Sequence, residues 1–150
     1  MKKSELIELY DFIDKRDFTN EINKVIKETL GAIISEGNND IQLSFDDIKT
    51  VMNNKKIFYY SIGDYDGECS TEKALKIAME RSSLDTKQMS KVTGILIHFL
   101  IHPSLCIQDI ADAMKIVYEN INENSNVFFG TTNDESLNQN YVKVTLLFTR

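Results

Sequence analysis

The chain has 150 residues, of which 42% are hydrophobic, and its 17 Lys and Arg against 23 Asp and Glu give a formal net charge of −6. A chain of this length is expected to form one domain, whose core removes about 68–70% of the unfolded surface from water. The acidic balance excludes the electropositive surface that nucleic-acid binding requires, and it disfavours anionic membranes. The sequence shows neither a signal peptide nor a run of roughly 18 apolar residues that could span a membrane. We therefore expect a cytoplasmic protein that binds neither nucleic acid nor membrane.

The cysteines and histidines do not indicate a metal or redox site. Cys69 and Cys106 have no paired or metal-ligand spacing, and a chain with this hydrophobic content needs no disulfide. His98 and His102 are four residues apart, which on a strand corresponds to about 13 Å, too far to share one metal ion. We predict two free thiols, a buried Cys106, a core or half-buried His98 and no cofactor.

Residues 1–37 are predicted to form an N-terminal helical segment. Apolar residues recur at helical spacing between residues 4 and 15, and a longer stripe of about five turns follows between Phe18 and Ile34. Gly37 is a natural C-cap for this second helix. The remaining residues, 38–150, are expected to form an α+β domain.

That domain alternates helices and strands. Ser44 and Asp47 fit the capping-box pattern, which predicts a short helix ending near Asn53. The periodicities that follow predict a strand at 57–62, a helix at 70–81, a connection at 82–90, a strand at 92–101, a helix at 107–121 and strands at 125–130 and 141–149. This order favours a mixed four-stranded sheet with helices packed on one face.

The apolar spacing predicts which side of each of the two longer helices faces the core. Ser70 is expected to cap the first, and Leu75, Ala78 and Met79 to face its core. The apolar positions of the second helix are Ile107, Ile110, Ala111, Met114, Val117, Tyr118 and Ile121.

Three stretches carry a family pattern. They are Ser44–Met52 with its closing Thr-Val-Met, Gly63 with the Gly67-Glu68 pair and the helix carrying Ala74 and Ala78, and Phe128–Thr131 with Asp134 and the strand Val142–Thr149. In this order and spacing they resemble the second half of FtsZ, the bacterial homologue of tubulin. The resemblance extends from Phe18 to Arg150, and it implies that residues 18–37 match the end of the FtsZ central helix.

The resemblance assigns a role to the loop before the short helix. In FtsZ this loop enters the nucleotide site of the next subunit, where two acidic residues position the attacking water. The family pattern is Asn, any residue, Asp, two residues and an acid; here the Asn position holds Gln42, the first acidic position Ser44 and the second Asp47. A neutral serine does not replace a carboxylate at a phosphate, although it caps a helix as well as aspartate does. Asp47 is the catalytic candidate that remains, and it would act only in the neighbouring subunit.

The resemblance does not include a nucleotide-binding domain. FtsZ builds its GTP site in a first domain, on glycine-rich loops whose backbone amides cradle phosphates. The six glycines of this chain, at positions 31, 37, 63, 67, 94 and 130, are not clustered in that way. We therefore expect that the chain alone is not an enzyme.

The preferred hypothesis is a non-catalytic FtsZ-like C-terminal domain that contacts an FtsZ- or tubulin-like protein, or itself, and caps or modulates a filament. The predicted interface residues are Gln42, Ser44, Phe45, Asp46, Asp47 and Lys49. One alternative is an excised C-terminal part of a longer FtsZ-like GTPase, whose loop contributes to hydrolysis in the neighbouring subunit. A second is a small-ligand site between helices and sheet, edged by Glu68, His98 or Asp134.

Overall fold

The computed structural model describes residues 24, 27, 41, 43–53, 55 and 58–150. Lys24 and Lys27 are helical, whereas the rest of the predicted N-terminal helical segment lies outside the described residues. None of the helices in the described part of the chain is both long and apolar enough to cross a membrane. The elements are α1 Phe45–Met52, β1 Phe58–Asp66, α2 Ser70–Arg81, α3 Thr86–Met89, β2 Gly94–Ile101, α4 Ile107–Asn120, β3 Asn126–Asn133 and β4 Tyr141–Thr149.

The four strands form one mixed sheet in the order β1-β4-β2-β3. Strand β4 pairs antiparallel with both β1 and β2, while β2 and β3 run parallel. Parallel neighbours need a long crossover, and α4 supplies it between β2 and β3. Seven of the eight β2 residues are buried, as expected for a central strand covered on both faces. The predicted α+β fold with a mixed four-stranded sheet is confirmed.

Helices α2 and α4 cover one face of the sheet. Alternate residues of β2 and β4 point to this side, and the side chains of Phe99 and Phe148 are among the largest in its core. At the edge of this face the Ser61 hydroxyl donates a 2.7 Å hydrogen bond to the Ala78 carbonyl, and a Cβ at Gly63 would collide with the α2 backbone. Side chains of the hydrophobic core fill the layer between these helices and the sheet.

Helix α1 lies on the opposite face. The core beneath α2 and α4 takes the even-numbered residues of β4, and consecutive strand residues point to opposite faces. Thr149 therefore points the other way, and its hydroxyl donates a 2.7 Å hydrogen bond to the Val51 carbonyl of α1. A Cβ at Gly94 would lie 3.0 Å from Val51 Cγ1, so the missing side chain lets the helix approach the sheet. The sheet thus has two long helices on one face and α1 on the other.

Several predicted boundaries were wrong. Strand β1 runs through Asp66 rather than ending at Ile62, because its pairing with β4 continues to Tyr141. Strand β3 similarly reaches Asn133. The segment predicted as a connection contains α3, which Asp85 caps through a reciprocal pair of hydrogen bonds with its third helical residue.

The predicted helix faces need correction as well. Ala111 and Tyr118 are exposed, because each lies about 100° around the helix from a residue of the buried stripe, and Ile107 is 60% exposed in the first turn. The residues of α4 that face the core are Ile110, Ala113, Met114 and Val117.

The predicted helix start and thiol burial were also wrong. In α2, Cys69 rather than Ser70 occupies the N-cap, without a side-chain capping bond. Cys69 and Cys106 are both free, as predicted, but Cys106 is exposed, because it precedes α4 at the N-cap.

Candidate interaction site

The first turn of α1 is closed by its own side chains. Ser44 Oγ accepts a 3.1 Å hydrogen bond from the Asp47 amide, and Asp47 Oδ2 accepts a 3.1 Å hydrogen bond from the Ser44 amide. The capping box predicted from the sequence is therefore present. Two helix-terminal amides gain acceptors in this way, and the Asp47 carboxylate serves the cap.

The inner side of α1 is fixed to the sheet. Ile48, Val51 and Met52 have no exposed surface. Burying a side chain of this kind stabilises a fold by about 1.5–3 kcal/mol relative to leaving it exposed. The helix is therefore a rigid platform whose remaining side faces outwards.

The loop before α1 is attached to the edge of β3. The Thr131 amide donates a 2.8 Å hydrogen bond to the Ile41 carbonyl, and the Ile41 amide donates to Thr131 Oγ1 over 3.2 Å. A Cβ at Gly130 would lie 3.1 Å from that same carbonyl and 3.2 Å from Leu43 Cγ. The absence of a side chain at this glycine thus allows the loop to lie close to β3.

The outer side of α1 is polar and exposed. Asp46 has a 91% exposed side chain, and its Oδ1 lies 4.0 Å from Lys49 Nζ. The ammonium of Lys49 also lies 4.5 Å from the centroid of the Phe45 ring, while the Thr50 hydroxyl donates to the Asp46 carbonyl over 2.8 Å. An exposed ion pair of this kind contributes at most about 1 kcal/mol to stability. These side chains are consequently available for contact with another molecule.

The structure gathers most of the predicted interface residues on α1 and its cap. They are Ser44, Phe45, Asp46, Asp47 and Lys49, whereas Gln42 lies outside the described residues. Sequence reasoning missed Thr50 and Asn53, which with Asp46 and Lys49 line a shallow open depression. Helical spacing would have placed them on this side, because Thr50 is four residues after Asp46 and Asn53 is four residues after Lys49.

His98 belongs to the core of the sheet. It is 4% exposed, and its Nε2 lies 2.8 Å from Thr132 Oγ1. Burial, with a smaller contribution from the charge of Lys143, lowers the pKa of His98 from 6.5 to about 4. The imidazole is therefore neutral at pH 7, and the predicted core position is confirmed. No group of three His, Cys, Asp or Glu residues in the described ranges is arranged to hold a metal ion.

The two remaining residues of the ligand-site alternative lie apart from His98. Asp134 Oδ1 accepts hydrogen bonds from the Ser136 hydroxyl at 2.6 Å and from the Ser136 amide at 2.9 Å, and these bonds lower the pKa of Asp134. This is a turn built by a side chain. Glu68 instead lines a polar cavity at the start of α2.

Comparison with known proteins places the chain in a family. The profile of the FtsZ family C-terminal domain matches residues 59–150. Cell division protein FtsZ 1 of Methanocaldococcus jannaschii is 31% identical over 109 residues, covering 73% of this chain and 29% of that relative. Cell division protein FtsZ 2 of Thermococcus kodakarensis is 30% identical over 97 residues, covering 65% and 23%. The chain thus spans less than a third of the length of these two relatives.

The solved structures agree. A structure titled as an empty FtsZ dimer of M. jannaschii superposes with a TM-score of 0.66 at 26% sequence identity, covering 94% of this chain and 43% of that chain. The resemblance predicted from the sequence is thereby confirmed. The chain belongs to the FtsZ family, whose C-terminal domain it contains.

Proposed function

We propose that this chain is a non-catalytic contact domain of the cytoplasm, which binds an FtsZ-like protein through the outer side of α1 and thereby caps or modulates its filament. The observation that carries the proposal is the reciprocal capping pair of Ser44 and Asp47. The pair supplies hydrogen-bond acceptors to the amides at this helix terminus. Ser44 does so at the position where the family pattern has a carboxylate.

Catalysis at this position requires more than the cap provides. Hydrolysis of a nucleoside triphosphate depends on groups that position water and stabilise charge at the phosphate. Asp47 is the one family-pattern acid left, and its carboxylate already accepts the Ser44 amide. The side chain of Asp46 is exposed, but its carboxylate lies 4.0 Å from the Lys49 ammonium. We infer that the loop contributes binding and no water activation.

A contact role is supported by the form of the surface. The inner side of α1 is buried, so its outer side is presented in a fixed orientation and little ordering entropy is lost on binding. Two of the relatives are named cell division proteins, and the similar solved structure is titled as a dimer. A chain that offers this one surface to a filament end would block the next addition, which is capping. Self-association through the same surface would use a second copy as the partner.

A second candidate function is supported by the lengths of the relatives. Because the chain spans 29% of the M. jannaschii relative, it also suits the C-terminal part of a longer FtsZ-like GTPase. In that case Asp47 would act in the nucleotide site of the neighbouring subunit. The GTP turnover of that site would be low, because Ser44 stands in place of the first acid.

Co-sedimentation with a full-length FtsZ-like protein from the same cell, in the presence of GTP, tests the contact. We expect the chain to bind and to reduce sedimentable polymer at substoichiometric ratios. Asp46→Lys should abolish this effect, while Glu119→Lys, an equal charge reversal on the exposed side of α4, should leave it intact. The proposal is wrong if the chain does not bind, or if both variants weaken binding equally.

A further inference from the structure

Strand β1 forms one edge of the sheet, and its whole length is regular. All nine of its residues pair with β4 in one continuous register, without a bulge. No strand in the described part of the chain pairs with the outer side of β1. Natural sheets block such edges with prolines, lysines or bulges, because an open edge pairs readily with another strand. β1 contains neither a proline nor a lysine, so its edge is a candidate pairing surface.

The carbonyl of Ile62 shows which residues of β1 face outwards. It accepts a 3.1 Å hydrogen bond from Arg81 Nη1, at the end of α2, and therefore points away from β4. The Gly67 amide, by contrast, donates to the Asn140 carbonyl on the β4 side. Backbone groups of an antiparallel strand alternate between its two sides. The even-numbered residues of β1 consequently direct their N–H and C=O groups outwards.

Arg81 restricts access to this edge. Its guanidinium occupies a carbonyl in the middle of β1, which a further strand would need for pairing. The residue is exposed and ends its helix, so its side chain can move aside without disturbing the core. An exposed hydrogen bond is also exchanged easily, because water replaces either partner. Arg81 is thus a removable block on the edge of β1.

The outward residues of β1 complement a second copy of the same strand. Antiparallel pairing about a two-fold axis at Ile62 places Tyr60 of each copy opposite Asp64 of the other. A phenol donates well to a carboxylate, and within the chain Asp64 already accepts a 3.0 Å hydrogen bond from the phenol of Tyr141. The Tyr60 side chain is 42% exposed. This register sets no acid opposite another acid, which would destabilise the pair.

The other edge of the sheet limits pairing to two copies. The loop before α1 is hydrogen-bonded to β3 through Ile41 and Thr131, which obstructs the addition of a strand there. A contact between two identical strands closes on itself. We propose that the chain forms an antiparallel homodimer through β1, with Arg81 as the side chain that must move aside. This edge is separate from the outer side of α1, so the dimer does not depend on the proposed function.

Sedimentation equilibrium of the chain over a range of concentrations tests this dimer. We expect the parent chain to dimerise reversibly. Arg81→Ala should lower the dissociation constant about tenfold or more, because each copy no longer gives up a hydrogen bond from a charged group. Lys76→Ala removes the same charge from an exposed position of the same helix and should leave the constant unchanged. Asp46→Lys should also leave it unchanged, which distinguishes this dimer from self-association through α1.

Disulfide cross-linking tests the register. In a chain with Cys69 and Cys106 replaced by serine, Ile62→Cys brings two thiols opposite each other. Hydrogen-bonded residues that face each other have Cα atoms about 5.5 Å apart, which lies within the range of disulfides. Diamide, which oxidises two thiols to a disulfide and is itself reduced to a hydrazine, should then give a covalent dimer. Glu119→Cys in the same background, on the exposed side of α4, should remain monomeric.

The proposal is overturned by any of four results. These are the absence of a dimer for both the parent chain and Arg81→Ala at millimolar concentration, an equal effect of Arg81→Ala and Lys76→Ala, a loss of the dimer in Asp46→Lys, and no more covalent dimer from Ile62→Cys than from Glu119→Cys.

Discussion

The hydroxyl of Thr149 donates a 2.7 Å hydrogen bond to the backbone carbonyl of Val51, joining the last strand to the short helix that carries the contact surface. Both residues have no exposed surface. Val51 lies in the last turn of α1, where helix carbonyls lack intrahelical partners. The bond therefore fixes the orientation of α1 on the sheet.

Thr149→Val is expected to destabilise the domain by about 1–3 kcal/mol, because it leaves a buried carbonyl without a donor. Thr149→Ser keeps the hydroxyl and should lose less. Urea denaturation followed by far-ultraviolet circular dichroism measures both values. Equal stability of Thr149→Val and the parent chain would show that another group satisfies the Val51 carbonyl.

Gly63→Ala should be among the most damaging small substitutions in the described part of the chain. The added methyl group would meet the backbone of α2 at Ala74 and Ala78, which cannot rotate away as a side chain can. Overpacking a core typically costs about 1–3 kcal/mol. Gly130→Ala, whose nearest contact would be 3.1 Å, is the milder comparison. A larger loss for Gly130→Ala in denaturant titrations would contradict this description of the α2 contact.

The stability of the domain should depend on pH through His98. The pKa of about 4 in the folded chain lies below the ordinary 6.5, so between these values the unfolded chain binds a proton that the folded chain does not. Stability from this group is complete above pH 6.5 and is lost as the pH falls towards 4, by roughly 3 kcal/mol in total. His98→Gln should flatten the dependence over this interval. An unchanged slope in the variant would assign the dependence to other groups.

Ser44→Asp separates the helix-capping role of this position from the role in GTP hydrolysis that the family pattern gives to an acid there. Aspartate caps a helix about as well as serine, so the free energy of unfolding should change by a few tenths of a kcal/mol. Ser44→Ala should cost about 1 kcal/mol. If α1 docks at the nucleotide face of an FtsZ-like protein, Ser44→Asp should also raise GTP turnover relative to the parent chain bound at the same occupancy. A stable, bound variant with unchanged turnover would place α1 away from that face.

Much of the fold could be predicted because local patterns and tertiary packing agree. The apolar run of β2 indicated a strand buried on both faces, and the Ser44–Asp47 spacing indicated the cap of α1. Where the local pattern and the tertiary packing disagreed, pairing with a neighbouring strand decided the secondary structure. The predicted strand ended at Ile62, yet Gly63 and Asp64 pair with Val144 and Lys143 of β4 and extend it.

The candidate site was only partly predictable. Positions on α1 followed from helical spacing, so the outer side could be named in advance. The attachment of Ile41 to Thr131 joins residues 90 apart and leaves no local pattern. The sequence named Glu68 as an edge of a ligand site, but for the same reason it did not bring Glu68 together with Asp109. Glu68 and Asp109 each look like an ordinary helix-start acid, and only the packing of α2 against α4 brings them together.

The rate of phosphate release by a full-length FtsZ-like protein from the same cell, measured as this chain is added, tests the central claim most directly. The contact proposal predicts that the rate falls and reaches a plateau below one chain per FtsZ-like subunit. Adding the Asp46→Lys variant instead of the parent chain should not change the rate. A rate that rises with added chain would instead indicate a contribution of Asp47 to hydrolysis. A rate that does not change at any ratio would contradict the proposal that this domain acts on an FtsZ-like filament.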